Sequence, residues 1–67
     1  MKELDVVALL HDIPEKSLVA GQVGTIIEIL DEGVFEVEFS DDLGKAYAML
    51  SIKKEGLIHL HYSPVAA

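Results

Sequence analysis

The sequence predicts a small all-β protein, a barrel of five short strands. The clearest signal is a pair of apolar runs at 21–30 and 34–39 around a polar turn at 31–33, a pattern typical of a β-hairpin. Two further apolar runs follow at 45–52 and 57–62, each preceded by a short turn. An earlier apolar run at 4–10 is followed by a longer irregular stretch at 11–20. With so few strands, closure into a barrel removes exposed sheet edges.

Length and composition indicate one small domain. The chain has 67 residues, of which 51% are hydrophobic, with a mean hydropathy of +0.37 and no cysteine. A domain of this size buries only about 60% of the surface that its unfolded chain exposes. We expect a single domain over 1–62, a frayed tail over 63–67, and enough excess apolar surface to favour a homo-oligomer.

The chain is strongly acidic. Five lysines, no arginine and twelve acidic residues give a formal net charge of −7. Nucleic-acid binders usually carry a basic face, so we expect no nucleic-acid partner. The acidity favours either plain solubility or attraction to a basic protein. The sequence has neither a signal-peptide pattern nor an apolar stretch of membrane length, so we expect a cytoplasmic protein without a membrane partner.

The first predicted strand covers 4–10 and is apolar on both faces. Such a strand is either central or covered by another chain. We therefore expect Val7 and Leu9, which share one face, to contact a second protein. A single helical turn is the alternative, although the β-branched pair Val6 and Val7 favours a strand.

The loop over 11–20 is the one long irregular connection, and Leu18 and Val19 are expected to cover the barrel end beneath it. Gly21 is predicted to take a positive φ before the second strand. Gly24 lies in or beside that strand, where a glycine typically marks a bulge or a close approach of two backbones.

The hairpin supplies an acidic surface. Gly33 is predicted to be the left-handed residue of its turn. The return strand alternates strictly, and its inward face is formed by Phe35, Val37 and Phe39. The predicted acidic docking face joins the turn to the outward side of this strand and is formed by Asp31, Glu32, Glu36 and Glu38.

The next strand is predicted over 45–52. The loop before it ends at Gly44, which is expected to be left-handed. Tyr47 and Met49 lie on the outer face of this strand and complete the set of interface candidates. A short 3₁₀ turn is expected over 53–56.

The last strand is predicted over 57–62, with Ile58, Leu60 and Tyr62 inward and His59 and His61 outward. A long first loop, two hairpins and a short turn before the last strand are the order of an SH3-like barrel.

Two stretches resemble known families. The segment from Gly21 to Ile26, with the turn at 31–33 and the strand at 34–39, resembles the KOW-type half of SH3-like barrels, found in ribosomal proteins and transcription elongation factors. A closer resemblance, to a family of short uncharacterised bacterial proteins, spans nearly the whole chain up to about Tyr62. It rests on MKELDVVALL, the Pro14–Glu15 loop, GxVGTI, the GVFEVEF strand and the closing LIHLHY. The first resemblance implies nucleic-acid binding, but KOW modules that contact RNA usually carry basic loops, whereas the matching loops here are acidic.

His59 and His61 are the candidate metal ligands, since residues two apart on a strand project from one face. With His11 they would offer three imidazole nitrogens to Zn²⁺ or Ni²⁺. Two surface histidines or a pH-sensitive interface are the alternatives. We expect no bound metal or other cofactor.

No nucleophile motif or phosphate-binding loop is recognisable, and the small core leaves little room for a substrate pocket. We therefore expect no catalytic residues and no enzyme activity. The leading hypothesis is a protein-interaction module that self-associates or docks on a larger protein. A KOW-like nucleic-acid-binding module and an acidic, antitoxin-like partner of a basic protein are the alternatives.

Overall fold

Residues 1–61 form one antiparallel sheet of five strands. The computed structural model describes residues 1–61, so Tyr62 and the predicted tail at 63–67 lie outside the described residues. The strands are β1 (Val6–Leu9), β2 (Val23–Asp31), β3 (Val34–Ser40), β4 (Ala46–Lys53) and β5 (Leu57–His59). Their spatial order, β4-β3-β2-β1-β5, is that of an SH3-like barrel, which confirms the predicted all-β fold. Two 3₁₀ helices lie in the connections, Pro14–Lys16 and, as predicted, Lys54–Gly56.

The sheet curls around a single hydrophobic core to which every strand contributes. The buried side chains of this core are Val7, Leu9, Leu18, Ile26, Phe35, Val37, Phe39, Ile52 and Leu57. The predicted inward face of β3 is confirmed, since its three apolar residues are all buried. β4 and β5 are the two ends of the sheet, and within residues 1–61 they do not pair with each other.

Gly24 brings β2 close to the β3 side chains on the core face. A Cβ atom at this position would lie 2.7 Å from Cγ1 of Val37 and 2.9 Å from the ring of Phe39. Gly24 therefore marks a close approach, but the groups that it approaches are two side chains and not a second backbone as predicted. The pairing of β2 with β3 shifts between Ile26 and Glu28, and this irregularity lets β2 bend around the core.

The turn glycines have the predicted left-handed backbone, with φ of +91° at Gly21, +72° at Gly33 and +81° at Gly44. Leu4 also has a positive φ of +72°, which a bulky side chain rarely adopts. Its N–H donates to the carbonyl oxygen of Ile26 at 2.7 Å. β1 therefore begins two residues later than the sequence predicts.

Only one of the two residues expected to cover the barrel end does so. Leu18 is 1% exposed, whereas Val19 is 56% exposed. Ile13 and Leu18 form an isolated antiparallel bridge that turns Leu18 inward. Because adjacent residues in extended chain face opposite ways, Val19 points to solvent, and its predicted position was wrong.

The faces of β5 are the reverse of those predicted. β5 pairs with β1 in the register Val7↔His59, Ala8↔Ile58 and Leu9↔Leu57. Residues paired across an antiparallel ladder share a face, so Leu57 and His59 lie on the core side. Ile58 is instead 48% exposed. The alternation in this short strand is too weak to fix its faces, so pairing with β1 sets them.

Candidate interaction surface

Both faces of β1 are apolar, but the inner and outer faces are exchanged relative to the prediction. Val7 and Leu9, expected to contact another chain, are 0% and 3% exposed and belong to the core. Their assignment to an interface was therefore wrong. Because the two faces carry similar side chains, the sequence pattern cannot distinguish them, and a shift of one residue exchanges them.

The outer sides of β1, of β5 and of the first three residues of β2 form an uncharged surface, which we call the outer apolar face. Its members, fixed by the strand register, are Val6, Ala8, Val23, Thr25 and Ile58. Ala8 lies between Val23 and Ile58, which are 50% and 48% exposed. Adjoining half-exposed apolar side chains are typical of a contact surface.

Sequence reasoning does not identify this face, although one signal for it is present. A strand that is apolar on both sides needs a cover on each, and the core supplies only one. Val23 and Ile58 become neighbours only through their shared pairing with Ala8. Such a contact between three strands depends on register, which a single sequence does not give.

Tyr47 and Met49 lie on β4, at the other end of the strand order from β5. They are 51% and 56% exposed, as an interface requires. The hydroxyl oxygen of Tyr47 accepts a hydrogen bond from Nε2 of Gln22 at 2.7 Å, which orients the ring. The four predicted interface residues therefore do not form one surface, since only the β4 pair is exposed.

The acidic face contains one carboxylate more than the sequence predicts. Glu28 lies opposite Glu36 across β2 and β3, while Glu38 lies opposite Thr25. Within residues 1–61, neither ion pair of the protein involves these carboxylates. This face therefore carries uncompensated negative charge. Like charges directly opposite each other, such as Glu28 and Glu36, are destabilising.

His59 and His61 are close together without a third metal ligand. Their ring centroids are 4.4 Å apart, and Nε2 of His59 lies 3.4 Å from Oδ2 of Asp5. His11 follows the opposite end of β1, because β1 and β5 are antiparallel. Among residues 1–61, no group of three or more His, Asp or Glu side chains is arranged to hold a metal ion.

The surroundings of Asp5 lower the pKa of its carboxyl group. The backbone N–H of Lys2 donates to Oδ2 of Asp5 at 2.9 Å, and this bond is the main cause that lowers the pKa of the carboxyl group. Partial desolvation opposes the shift, whereas the nearby charges of His59 and Lys2 add to it. Asp5 therefore contacts both the N-terminal turn formed by residues 2–5 and His59 of β5.

The described part of the chain has no helix that is both long and apolar enough to cross a membrane.

A family model described as a domain of unknown function (DUF4926) matches residues 3–59, and the chain belongs to this family. No curated protein and no solved structure matches the chain significantly.

Proposed function

We propose that this member of the DUF4926 family is a non-enzymatic module that binds another protein through the outer apolar face. The observation that carries the proposal is the uncharged row of Val23, Ala8 and Ile58 across three strands. Burial of apolar surface yields roughly 25 cal/mol per Å², so covering this row on association is favourable. The partner offers a matching apolar surface.

The shape of the site favours a protein over a small molecule. The outer apolar face lies on the outside of a sheet, whereas small-molecule sites are concave. The inner side chains fill the core around Phe39 and Val37, both fully buried, which supports a role without catalysis.

The acidic face supports a partner with a basic rim. Glu28, Glu36 and Glu38 are uncompensated and would attract positive charge during encounter. The second candidate function is therefore that this chain acts as an acidic, antitoxin-like protein that binds a basic protein. The KOW-like alternative requires contact with phosphates, which the same carboxylates would repel, and a gel-shift assay with RNA at low salt tests it.

The test compares proteins captured from a native lysate by three forms of the chain. The double variant Val23→Lys/Ile58→Lys places two charges on the outer apolar face, and both side chains are half-exposed, so the fold tolerates them. Leu43→Lys is the matched control, because Leu43 is 93% exposed in the turn between β3 and β4.

We expect a partner that the wild type and Leu43→Lys retain and that the double variant loses. Circular dichroism checks that all three proteins are folded. Capture of the same proteins by all three forms, or of none by any form, would contradict the proposed function.

A further inference from the structure

We infer that the free edge of β4 pairs antiparallel with β4 of a second copy of this chain. β4 is the last strand of the sheet and, within residues 1–61, pairs with β3 alone. Every second residue of such an edge turns its N–H and C=O groups away from the sheet, where they act as a template for another strand. This contact goes beyond the proposed function, because it uses the edge of β4 and not the outer apolar face.

Most of β4 lacks the features that normally protect a sheet edge. Its residues 46–52 contain no charge, proline or glycine. Natural edges are usually short, charged or bulged. β5, at the other edge, is only three residues long, whereas β4 has eight. The pairing of β4 with β3 runs without a register shift from Val34↔Lys53 to Phe39↔Ala48. A shift between Phe39↔Ala48 and Ser40↔Ala46 places a bulge at Tyr47, so the edge is regular from Ala48 onward.

The charges at the two ends of β4 are complementary under antiparallel pairing. Three of the five lysines of the chain flank this strand: Lys45, Lys53 and Lys54. The turn that leads into β4 carries Asp41 and Asp42. Antiparallel pairing sets the end of one β4 beside the start of the other. Lys53, Lys54 and Glu55 give the end a net charge of +1, whereas Asp41, Asp42 and Lys45 give the start a net charge of −1. The two-fold symmetry repeats this contact at the other end.

The exposed side chains of β4 also favour a second copy. Met49 lies near the middle of the strand and Tyr47 lies two residues earlier, at the bulge, and both are more than half exposed. A two-fold axis near the strand centre brings the two copies of these side chains together, which buries apolar surface. The outer apolar face lies on other strands and remains free for a different partner.

Sedimentation of the full chain over a range of concentrations and at low salt tests the inference. We expect a wild-type dimer. Asp42→Lys and the double variant Lys53→Glu/Lys54→Glu each create like-charge contacts at both ends, so each dimerises about tenfold more weakly. An equimolar mixture of the two variants forms a heterodimer of near wild-type affinity, because the charges are then exchanged between the copies. Glu15→Lys, on the 3₁₀ helix of the long loop, is the control for changed net charge.

A wild-type chain that stays monomeric at every concentration overturns the inference, and so does a dimer that neither β4 variant weakens. Asp42 and Lys54 are exposed, and circular dichroism verifies that the variants fold. A monomer that still captures a partner through the outer apolar face overturns this inference alone and leaves the proposed function standing.

Discussion

At the scale of single residues, Gly24 lets β2 pack closely against the side chains of β3, and Asp5 accepts a hydrogen bond from the N-terminal residues. Gly24 is required because a Cβ would meet the Val37 and Phe39 side chains at less than 3.0 Å. The sequence predicts a close approach there, since a glycine within an apolar strand has few other reasons to be present. Asp5 could not be recognised in this way, because its contacts with the N–H of Lys2 and with His59 depend on the fold of residues 2–5 and on the β1–β5 register.

Asp5→Asn is expected to lower the thermal midpoint of unfolding near neutral pH. The folded-state pKa of Asp5 is depressed below the ordinary value of 3.8. Its contribution to stability is therefore fully present above that value and is lost as the pH falls through the lower, folded-state pKa. Thermal unfolding of the wild type and the variant from neutral pH down to about pH 2 measures the difference, which should shrink with acidification.

Glu15→Gln, at an exposed position on the 3₁₀ helix Pro14–Lys16, is the matched control and should leave the midpoint nearly unchanged. A difference between Asp5→Asn and the wild type that stays constant down to the lowest pH would show that the carboxylate charge of Asp5 contributes nothing to stability.

At the scale of elements, the β2–β3 hairpin retains an unfavourable pair. Glu28 and Glu36 oppose each other directly, and Glu28→Lys converts this repulsion into an attraction. We expect the variant to unfold with a free energy about 0.5–1 kcal/mol higher at low salt. The gain should fade at high salt, because exposed charges are then screened. Urea unfolding at both salt concentrations provides the measurement.

Glu55→Lys changes the net charge of the chain by the same amount at an exposed position outside the hairpin. If this control were as stabilising as Glu28→Lys, the gain would come from the overall charge and not from the pair. If neither variant differed from the wild type in free energy of unfolding at low salt, the repulsion between Glu28 and Glu36 would also be refuted.

How far the elements could be predicted depends on how different their two faces are. β3 is predicted correctly because Phe35, Val37 and Phe39 alternate with glutamates, so only one face can be buried. β1 has similar residues on both sides, and β5 is three residues long, so their faces are set by pairing and not by pattern. The predicted interface was wrong at Val7 and Leu9 for this reason, whereas exposure at Tyr47 and Met49 was predicted correctly.

At the scale of the whole molecule, the fold offers two uncharged surfaces on an acidic protein. The outer apolar face spans β2, β1 and β5, and the free edge belongs to β4 at the opposite end of the strand order. The net charge of −7 opposes non-specific association between copies, so specific contacts are expected where charge is absent or locally complementary. This division would let one copy pair with another and bind a further protein at the same time.

Amide hydrogen exchange of the full-length wild type, measured in dilute and in concentrated solution, tests the role of these surfaces most directly. Pairing through β4 predicts that outward-facing amides within Ala46–Lys53 exchange more slowly in the concentrated sample. Amides of β1 should exchange at the same rate in both samples, since β1 is paired with a strand on each side and has no free edge. Equal exchange rates along β4 at both concentrations would contradict the proposed contact between copies.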